Sequence, residues 1–261
     1  MRLEIRAFPF KLTESRNILA VSHGSRFPTP NVYSAQWFAT FLEPLPTEYT
    51  DLDISAIQAR LPVDDFSRIL DLCCGPGRHA ARLATLGYRV TGIDRDPDAI
   101  ALAQRRAQSA TFHCMDMRAI SQLGEQFDGV LSLWQSFGYF SPAENDKVLR
   151  EIHGLIRPRG RLLLDVFHAE YFRGRQGPRS ELPDGVSFLE DWVVGDRVHS
   201  RIRYDDGAEE TMDFEIFTPE QLAARAGVAG FRLVEACCWW DRDRPPDPEQ
   251  PRFQLTLERP R

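Results

Sequence analysis

A regular alternation of apolar runs and helical segments occupies residues 66–167 of the chain. The runs FSRILDLCC, YRVTGID, ATFHCMD, FDGVLSLW and RLLLDVF have the composition of buried strands, and three segments between them repeat apolar residues at helical spacing. Strands that alternate with helices pair in parallel, because each connection has to cross a face of the sheet. The alternation therefore predicts an α/β fold whose parallel sheet is covered on both faces.

The helical segment at 141–156 has the clearest start signal of the chain. Ser141 can cap the helix, Pro142 suits its first turn, and Glu144 completes a capping box. The RPRG stretch at 157–160 is expected to end this helix before the strand RLLLDVF begins. These signals predict a long helix between the fourth and fifth strands.

The alternation stops after about residue 170. A polar loop at 171–185 is followed by three consecutive strand-like runs, VSFLEDWVV, DRVHSRIRY and EETMDFEIF, separated by glycine-containing turns. Consecutive strands with short turns predict an antiparallel meander. The helical TPEQLAARAGV, capped by Thr218, and the two strands FRLVEACCWW and RFQLTLERP then close the chain.

These patterns divide the chain into four segments. Residues 1–30 are expected to form a poorly packed arm, and residues 31–168 an α/β domain that starts with two helices. Residues 169–217 form the antiparallel insertion, and residues 218–261 return to the α/β domain as its closing helix and terminal hairpin.

Composition narrows the class of protein further. The net charge of −6 over 261 residues disfavours a nucleic-acid partner, which usually meets a basic surface. No apolar run reaches the roughly 18 residues of a membrane span, and the charged start MRLEIRAF does not resemble a signal peptide. The five cysteines show no zinc spacing, so we expect no metal site and a soluble protein in the reducing cytoplasm.

The first strand and the turn after it carry the strongest chemical signal. The strand ends at Asp71, the turn contains Gly75 and Gly77, and the next strand ends in Asp94, 19 residues after Gly75. Glycines let a ligand approach the backbone, and an acid at this spacing can accept hydrogen bonds from ribose hydroxyls. With Ala80 the glycines also fit a dinucleotide fingerprint, but Asp71 suits a cationic ligand better than a pyrophosphate.

Four motifs in order resemble those of the class I methyltransferases that depend on S-adenosylmethionine (SAM). They lie at 69–94, at CMDMR (114–118), at FDGVLSLWQSFGYF (127–140) and at IRPRGRLLLDVF (156–167), and the resemblance covers about residues 31–258. Arg159 stands where the family usually has the first of two glycines. The branch with the greatest similarity contains glycine and amino-sugar N-methyltransferases. The resemblance implies a Rossmann-like seven-stranded sheet with an antiparallel β insertion after the fifth strand.

The resemblance also implies the chemistry. SAM is the expected cofactor, S-adenosylhomocysteine the product, and a small molecule the acceptor, methylated on nitrogen in preference to oxygen or carbon. By resemblance, Asp94 contacts the ribose and Asp116 the adenine amino group. The full set of expected cofactor-binding residues is Trp37, Asp71, Cys73, Gly75, Gly77, Asp94, Arg95, Asp116, Met117, Leu133 and Gln135. Tyr33, Tyr139 and His168 are the candidates for orienting or deprotonating the acceptor, and the insertion at 169–217 is expected to form a lid over the acceptor.

Other interpretations stay open at the level of sequence. The same turn could serve a nicotinamide-dependent oxidoreductase, a SAM-binding protein without catalysis, or an RNA or protein methyltransferase, although SFGYF replaces the Asn-Pro-Pro-Tyr type of motif. Several aromatic residues have both a structural and a functional interpretation: Tyr33, Trp37 and Phe38 as helix packing or a lid, and Trp134, Phe137, Tyr139 and Phe140, with Gln135 and Ser136 between them, as core or pocket. The arginines Arg173, Arg175 and Arg179 could form a solvated loop or an anion clamp. The residues Trp239, Trp240 and Asp241 could form a pocket rim.

Overall fold

A computed structural model describes residues 31 and 33–261 of the chain, so the predicted arm at 1–30 lies outside the described residues. The described chain forms two compact units. We call Pro46–Val166, Pro219–Asp247 and Arg252–Arg261 the sheet unit. The meander unit contains the described residues up to Leu45, together with Phe167–Thr218 and Pro248–Pro251.

The helices and strands follow the predicted alternation. The helices are α1 Ala35–Phe41, α2 Thr47–Arg60, α3 Arg78–Thr85, α4 Pro97–Arg106, α5 Pro142–Leu155, α6 Ala169–Arg173 and α7 Pro219–Val228, with a 3-10 helix at Met117–Leu123. The strands are β1 Arg68–Leu72, β2 Arg89–Asp94, β3 Thr111–Cys114, β4 Phe127–Ser132, β5 Ile156–Phe167, β6 Gly177–Pro178, β7 Val186–Val194, β8 Arg197–Tyr204, β9 Glu209–Glu215, β10 Arg232–Cys237 and β11 Arg252–Glu258.

Seven strands of the sheet unit form one sheet in the order β10-β11-β5-β4-β1-β2-β3. Strands β1 to β5 pair in parallel where they are neighbours, and β10 and β11 form an antiparallel hairpin at one end. The central strands are apolar along most of their length because helices cover both faces. The predicted Rossmann-like seven-stranded sheet is confirmed.

Helix α5 has the predicted start. The Ser141 side chain accepts a hydrogen bond from the Glu144 backbone N–H, and the Glu144 carboxylate accepts one from the Ser141 backbone in return. Its end differs from the prediction, because β5 begins at Ile156 directly after α5 and includes the RPRG stretch. Within it, exposed Arg159 has φ +69° and donates its backbone N–H to the Arg259 carbonyl at 2.7 Å. This hydrogen bond to the residue directly after β11 thus holds the stretch against the end of the last strand.

Four strands of the meander unit form an antiparallel sheet in the order β6-β7-β8-β9. This confirms the insertion after the fifth strand. The predicted polar loop at 171–185 is wrong in two places, because it holds the end of α6 and the short edge strand β6. Helix α1 belongs to this unit, and its Trp37 and Phe41 pack against a cluster of β7 and β8 residues, namely Val186, Leu189, Ile202 and Tyr204.

No helix of the described chain combines the length and the apolar character needed to cross a membrane.

Candidate functional site

The turn after β1 is shaped by backbone conformations that glycine favours. Gly75 has φ +52° and Gly77 has φ +76°. A Cβ on Gly77 would lie 2.9 Å from Cβ of Ala103, so this glycine lets α3 and α4 approach each other. A Cβ on Gly75 would meet no described atom within 4 Å. The turn therefore presents bare backbone to open space at Gly75 and close helix packing at Gly77.

Asp94 ties the turn to the end of β2. One of its carboxylate oxygens accepts the Gly75 backbone N–H at 2.9 Å, and the other accepts the Asp96 N–H at 3.0 Å. Burial raises the pKa of Asp94, although these two hydrogen bonds lower it. Each carboxylate oxygen has more than one acceptor direction, so Asp94 keeps acceptor capacity for hydroxyl groups.

Asp71 lies in β1, where it pairs in register with Gly92 of β2 and Leu131 of β4. The residue is 2% exposed, and its Oδ2 atom has no hydrogen-bond partner among the described residues. Burial raises its pKa to about 6, partly offset by the positive charges of His79 and Arg78. A buried carboxylate oxygen without a donor is costly, and a cationic ligand group at this position would stabilise it.

Asp116 caps the 3-10 helix that follows β3. Its carboxylate accepts the Arg118 backbone N–H at 2.8 Å and the Arg118 guanidinium at 2.7 Å, and this guanidinium lies over the Phe140 ring. The side-chain hydrogen bond from Arg118 lowers the pKa of Asp116. Met117 is buried directly after it. The turn or cap role is thus present in the structure, and the predicted contact of Asp116 with adenine stays a prediction.

The loop after β4 contains two consecutive left-handed residues that are not glycine, Trp134 with φ +54° and Gln135 with φ +59°. Such conformations cost about 1 to 2 kcal/mol per residue. Asp165 of β5 holds both residues, because its carboxylate accepts the Trp134 N–H at 3.1 Å and its carbonyl accepts the Gln135 N–H at 3.0 Å. Leu133 precedes them and is buried.

A buried carboxylate on α2 contacts four side chains, one of which is the Arg78 guanidinium at 4.0 Å. Asp53, which is 1% exposed, accepts the indole N–H of Trp134 at 2.7 Å and that of Trp240 at 3.0 Å. Its Oδ2 atom also lies 2.9 Å from Nε2 of His79. Burial would raise the pKa of Asp53, but the hydrogen bond and charge of His79 lead the contributions that lower it. Asp53 thus joins α2, α3 and the loops after β4 and β10.

Arg252 of β11 completes this cluster. Its guanidinium donates to the Asp165 carboxylate at 3.0 Å and lies between the rings of Trp134 and Trp239, 4.5 and 4.8 Å from their centroids. Arg78 lies over Trp134 at 4.3 Å. The Gln254 side chain donates to the Asp165 carboxylate at 2.7 Å and accepts the backbone N–H of Trp240 at 3.1 Å. We call these residues the tryptophan cluster: Asp53, Arg78, His79, Trp134, Asp165, Trp239, Trp240, Arg252 and Gln254.

The loop after β10 repeats the geometry of the loop after β4. Trp239 and Trp240 both have φ +58° and are 5% and 7% exposed. The sequence interpretation placed these tryptophans at a pocket rim, whereas the structure buries both of them in the tryptophan cluster.

Most polar residues of the tryptophan cluster were not predicted from the sequence as residues of a site. Two signals could have found them, since Asp165 interrupts the apolar run RLLLDVF, and Asp53 shares one helical face with Ala56 and Ile57. Nothing in the sequence indicates Arg252 or Gln254.

The remaining expected site residues divide between the units. In the sheet unit, Tyr139 is half-buried and Arg95 is exposed, and Cys73, with φ +55°, lies in the turn after β1. In the meander unit, the Tyr33 and Trp37 rings pack 4.4 Å apart, and Nε1 of Trp37 has no hydrogen-bond partner among the described residues. His168 is 3% exposed and caps α6, where its Nδ1 accepts the Glu170 N–H at 3.3 Å.

The basic run of the meander unit is paired. Arg173 contacts Asp196, Arg175 contacts Glu249, and Arg179 contacts the buried Asp191. Each of the three guanidinium groups therefore already has a carboxylate partner. These contacts do not favour an anion clamp, and the solvated-loop interpretation is wrong for Arg179, whose side chain is only 13% exposed.

Comparison with known proteins identifies the type of domain that the chain contains. Residues 69–160 match the model of a methyltransferase domain. The chain is 35% identical over 133 residues to the putative methyltransferase YqeM of Bacillus subtilis (strain 168). This alignment covers 49% of this chain and 52% of that protein. The chain is 34% identical over 98 residues to dTDP-3-amino-3,6-dideoxy-alpha-D-glucopyranose N,N-dimethyltransferase of Streptomyces fradiae, covering 37% and 38%. The chain thus spans about half or less of these relatives' lengths.

Solved structures show the same fold. A SAM-dependent methyltransferase from Clostridium acetobutylicum ATCC 824 has a TM-score of 0.69 at 14% identity, covering 84% of this chain and 94% of that one. The sugar N-methyltransferase KedS8 from Streptoalloteichus sp ATCC 53650 has a TM-score of 0.65 at 20% identity, covering 94% and 100%. The resemblance to the class I SAM-dependent methyltransferases is confirmed at the level of domain and fold: residues 69–160 match the methyltransferase-domain model, and the described chain has the fold of solved SAM-dependent methyltransferases.

Proposed function

We propose that this protein is a SAM-dependent methyltransferase that methylates a small-molecule acceptor, on nitrogen in preference to oxygen or carbon. The observation that carries the proposal is the buried, unpartnered Oδ2 atom of Asp71 beside the open backbone at Gly75. SAM contains an ammonium group and a positive sulfur atom, whereas a dinucleotide would bring a pyrophosphate near this carboxylate. The charge of the site therefore favours SAM over a nicotinamide cofactor.

The residues of the turn supply the contacts that the ligand needs. Gly75 leaves room for the nucleoside, Asp94 has acceptor capacity for the ribose hydroxyls, and Asp71 offers a carboxylate to the ammonium group. The other expected contacts, among them Cys73, Asp116, Met117 and Gln135, keep the roles that the family resemblance assigns. Gly77, Arg95 and Leu133 are the remaining expected contacts within the sheet unit.

Methyl transfer from SAM requires little acid–base catalysis by the protein. SAM supplies a methyl group that its positive sulfur already activates. The acceptor lone pair forms the new bond to the methyl carbon while the carbon–sulfur bond breaks, and a primary amine then loses one proton. The chain mainly has to align the reactants and exclude water. Tyr33, Tyr139 and His168 stay our candidates for orienting the acceptor or taking the proton.

The proposal of an amine acceptor rests on the relatives. Two curated relatives are aminosugar N,N-dimethyltransferases, and one is a glycine/sarcosine N-methyltransferase from Aphanothece halophytica. O-methyltransferases also occur among the relatives, so the acceptor has to be found by experiment. Incubation with isotope-labelled SAM and a metabolite extract, read by mass spectrometry, would identify the labelled product.

Calorimetry with SAM, S-adenosylhomocysteine and NADH tests the cofactor. We expect both adenosyl ligands to bind the wild type and Gly75→Val to abolish this binding, because the new side chain would occupy the space that the ligand needs. Gly124→Val is the matched control, since Gly124 has a similar φ of +65° and equally open surroundings after the 3-10 helix. Binding of NADH alone, or equal binding by both variants, would overturn the site.

A further inference from the structure

The tryptophan cluster connects to the proposed SAM site through the loop after β4. Asp71 pairs in register with Leu131, and the loop starts at Leu133, two residues further along the chain. Residues 133–136 therefore leave the sheet beside the strand that carries the unpartnered carboxylate. A shift of this loop would change the wall of the proposed SAM site.

The conformation of this loop depends on contacts outside it. Trp134 and Gln135 are left-handed without being glycine, so a local preference does not hold them there. Asp165 fixes the backbone N–H groups of both residues, and Asp53 fixes the indole of Trp134 at 2.7 Å. Arg78 and Arg252 lie over the same ring, with guanidinium carbons 4.3 and 4.5 Å from its centroid.

Asp53 is suited to holding an indole in place because it lies on a helix, its side chain is buried, and its pKa is lowered. It lies in the middle of α2, is buried, and accepts two indole N–H groups while contacting His79. The same carboxylate thus holds one tryptophan from each of two loops. Because the Trp134 and Trp240 hydrogen bonds go to the same carboxylate, removing them one at a time tests the two loops separately.

We propose that Asp53 is a positioning residue for the methyl donor: through the Trp134 indole it holds the loop at 133–136 in the conformation that receives SAM. This role rests on the proposed function. Asp53 itself does not touch the ligand in this proposal. The hydrogen bond to Trp240, by contrast, stabilises the loop after β10 without affecting SAM.

The test compares Trp134→Phe with Trp240→Phe, since each variant removes one indole N–H from the same carboxylate and keeps an aromatic ring. Calorimetry with S-adenosylhomocysteine measures affinity without turnover. We expect Trp134→Phe to weaken binding at least tenfold and Trp240→Phe to change it less than twofold, although both lower the melting temperature. The double variant Asp53→Asn/Trp134→Phe should bind S-adenosylhomocysteine within about twofold of Trp134→Phe alone, because in this proposal Asp53 acts on the ligand only through the Trp134 indole.

The outcomes separate the two proposals. Equal binding by wild type and Trp134→Phe, or equal losses in the two tryptophan variants, would overturn the positioning role and leave the proposed function standing. A wild type that takes up neither SAM nor S-adenosylhomocysteine would overturn the proposed function and this role with it. If Asp53→Asn does not fold, the two tryptophan variants still decide the question.

Discussion

Two regions of the sheet unit reach the same backbone conformation by different means. The turn after β1 uses Gly75 and Gly77 for two of its three left-handed residues, with Cys73 as the third, whereas the loop after β4 uses two consecutive residues that are not glycine, Trp134 and Gln135. Glycine adopts this conformation without a steric cost, so the first region needs little outside support. The second region needs buried carboxylates, and Asp53 and Asp165 provide them. A left-handed loop can therefore be encoded either locally or by distant partners.

We expect the largest effect from removing Asp165, because this residue of β5 supports the loop after β4. Asp165→Ala would leave Arg252 buried without the carboxylate it contacts at 3.0 Å and would release the backbone of Trp134. Removing one partner of a buried ion pair costs about 3 to 5 kcal/mol. Urea denaturation should show this loss. Arg82→Ala, which breaks an exposed pair with Asp51, should cost less than about 1 kcal/mol.

The next prediction contrasts Asp71, whose Oδ2 atom has no hydrogen-bond partner among the described residues, with the hydrogen-bonded carboxylates of Asp53 and Asp165. The pKa of Asp71 is raised from 3.8 to about 6, so the fold holds a proton there that the unfolded chain releases. The stability of the ligand-free wild type should therefore fall, through this group, as pH rises from about 4 to 6. The free energy of unfolding of Asp71→Asn relative to wild type should increase by about 2 kcal/mol between pH 4 and pH 7. A difference that does not change with pH would contradict this.

A smaller effect separates the two glycines of the turn. Gly77→Ala places a Cβ 2.9 Å from Ala103 in a left-handed residue and should cost about 2 to 3 kcal/mol of stability. Gly75→Ala meets open space and should cost about 1 kcal/mol through its backbone conformation alone. Denaturation and calorimetry together should show that Gly75→Ala weakens SAM binding more than it weakens the fold. Equal stability losses would mean that α4 gives way.

The smallest effect concerns an exposed left-handed residue outside both regions. Arg159 has φ +69° and is exposed in β5. Arg159→Gly should stabilise the protein by about 1 kcal/mol, because glycine removes the steric cost of this conformation. A shift of the urea midpoint to higher concentration would show it, and Arg157→Gly, at an exposed neighbour without a positive φ, should not produce it.

The same contrast explains how much the sequence could predict. The parallel sheet, the capping box of α5 and the turn with Gly75 and Gly77 were predictable, because each has a local signal in composition or spacing. The candidate ligand carboxylates Asp71 and Asp94 followed from their places at the ends of β1 and β2.

The tryptophan cluster was not predictable, because its contacts join residues far apart in the chain. Trp240 and Asp53 are separated by 187 positions, and no local pattern indicates that a tryptophan will adopt a left-handed conformation. For the same reason the RPRG stretch looked like the end of α5, although its pairing with Arg259 makes it part of β5.

Three of the five tryptophans in the chain, Trp134, Trp239 and Trp240, belong to the tryptophan cluster. Most of the tryptophan fluorophores of this protein therefore lie in one place, beside charged guanidinium groups. A movement of the loop after β4 would change the spectrum without any added dye. If the proposed function holds, this change would report the binding of SAM and the release of S-adenosylhomocysteine.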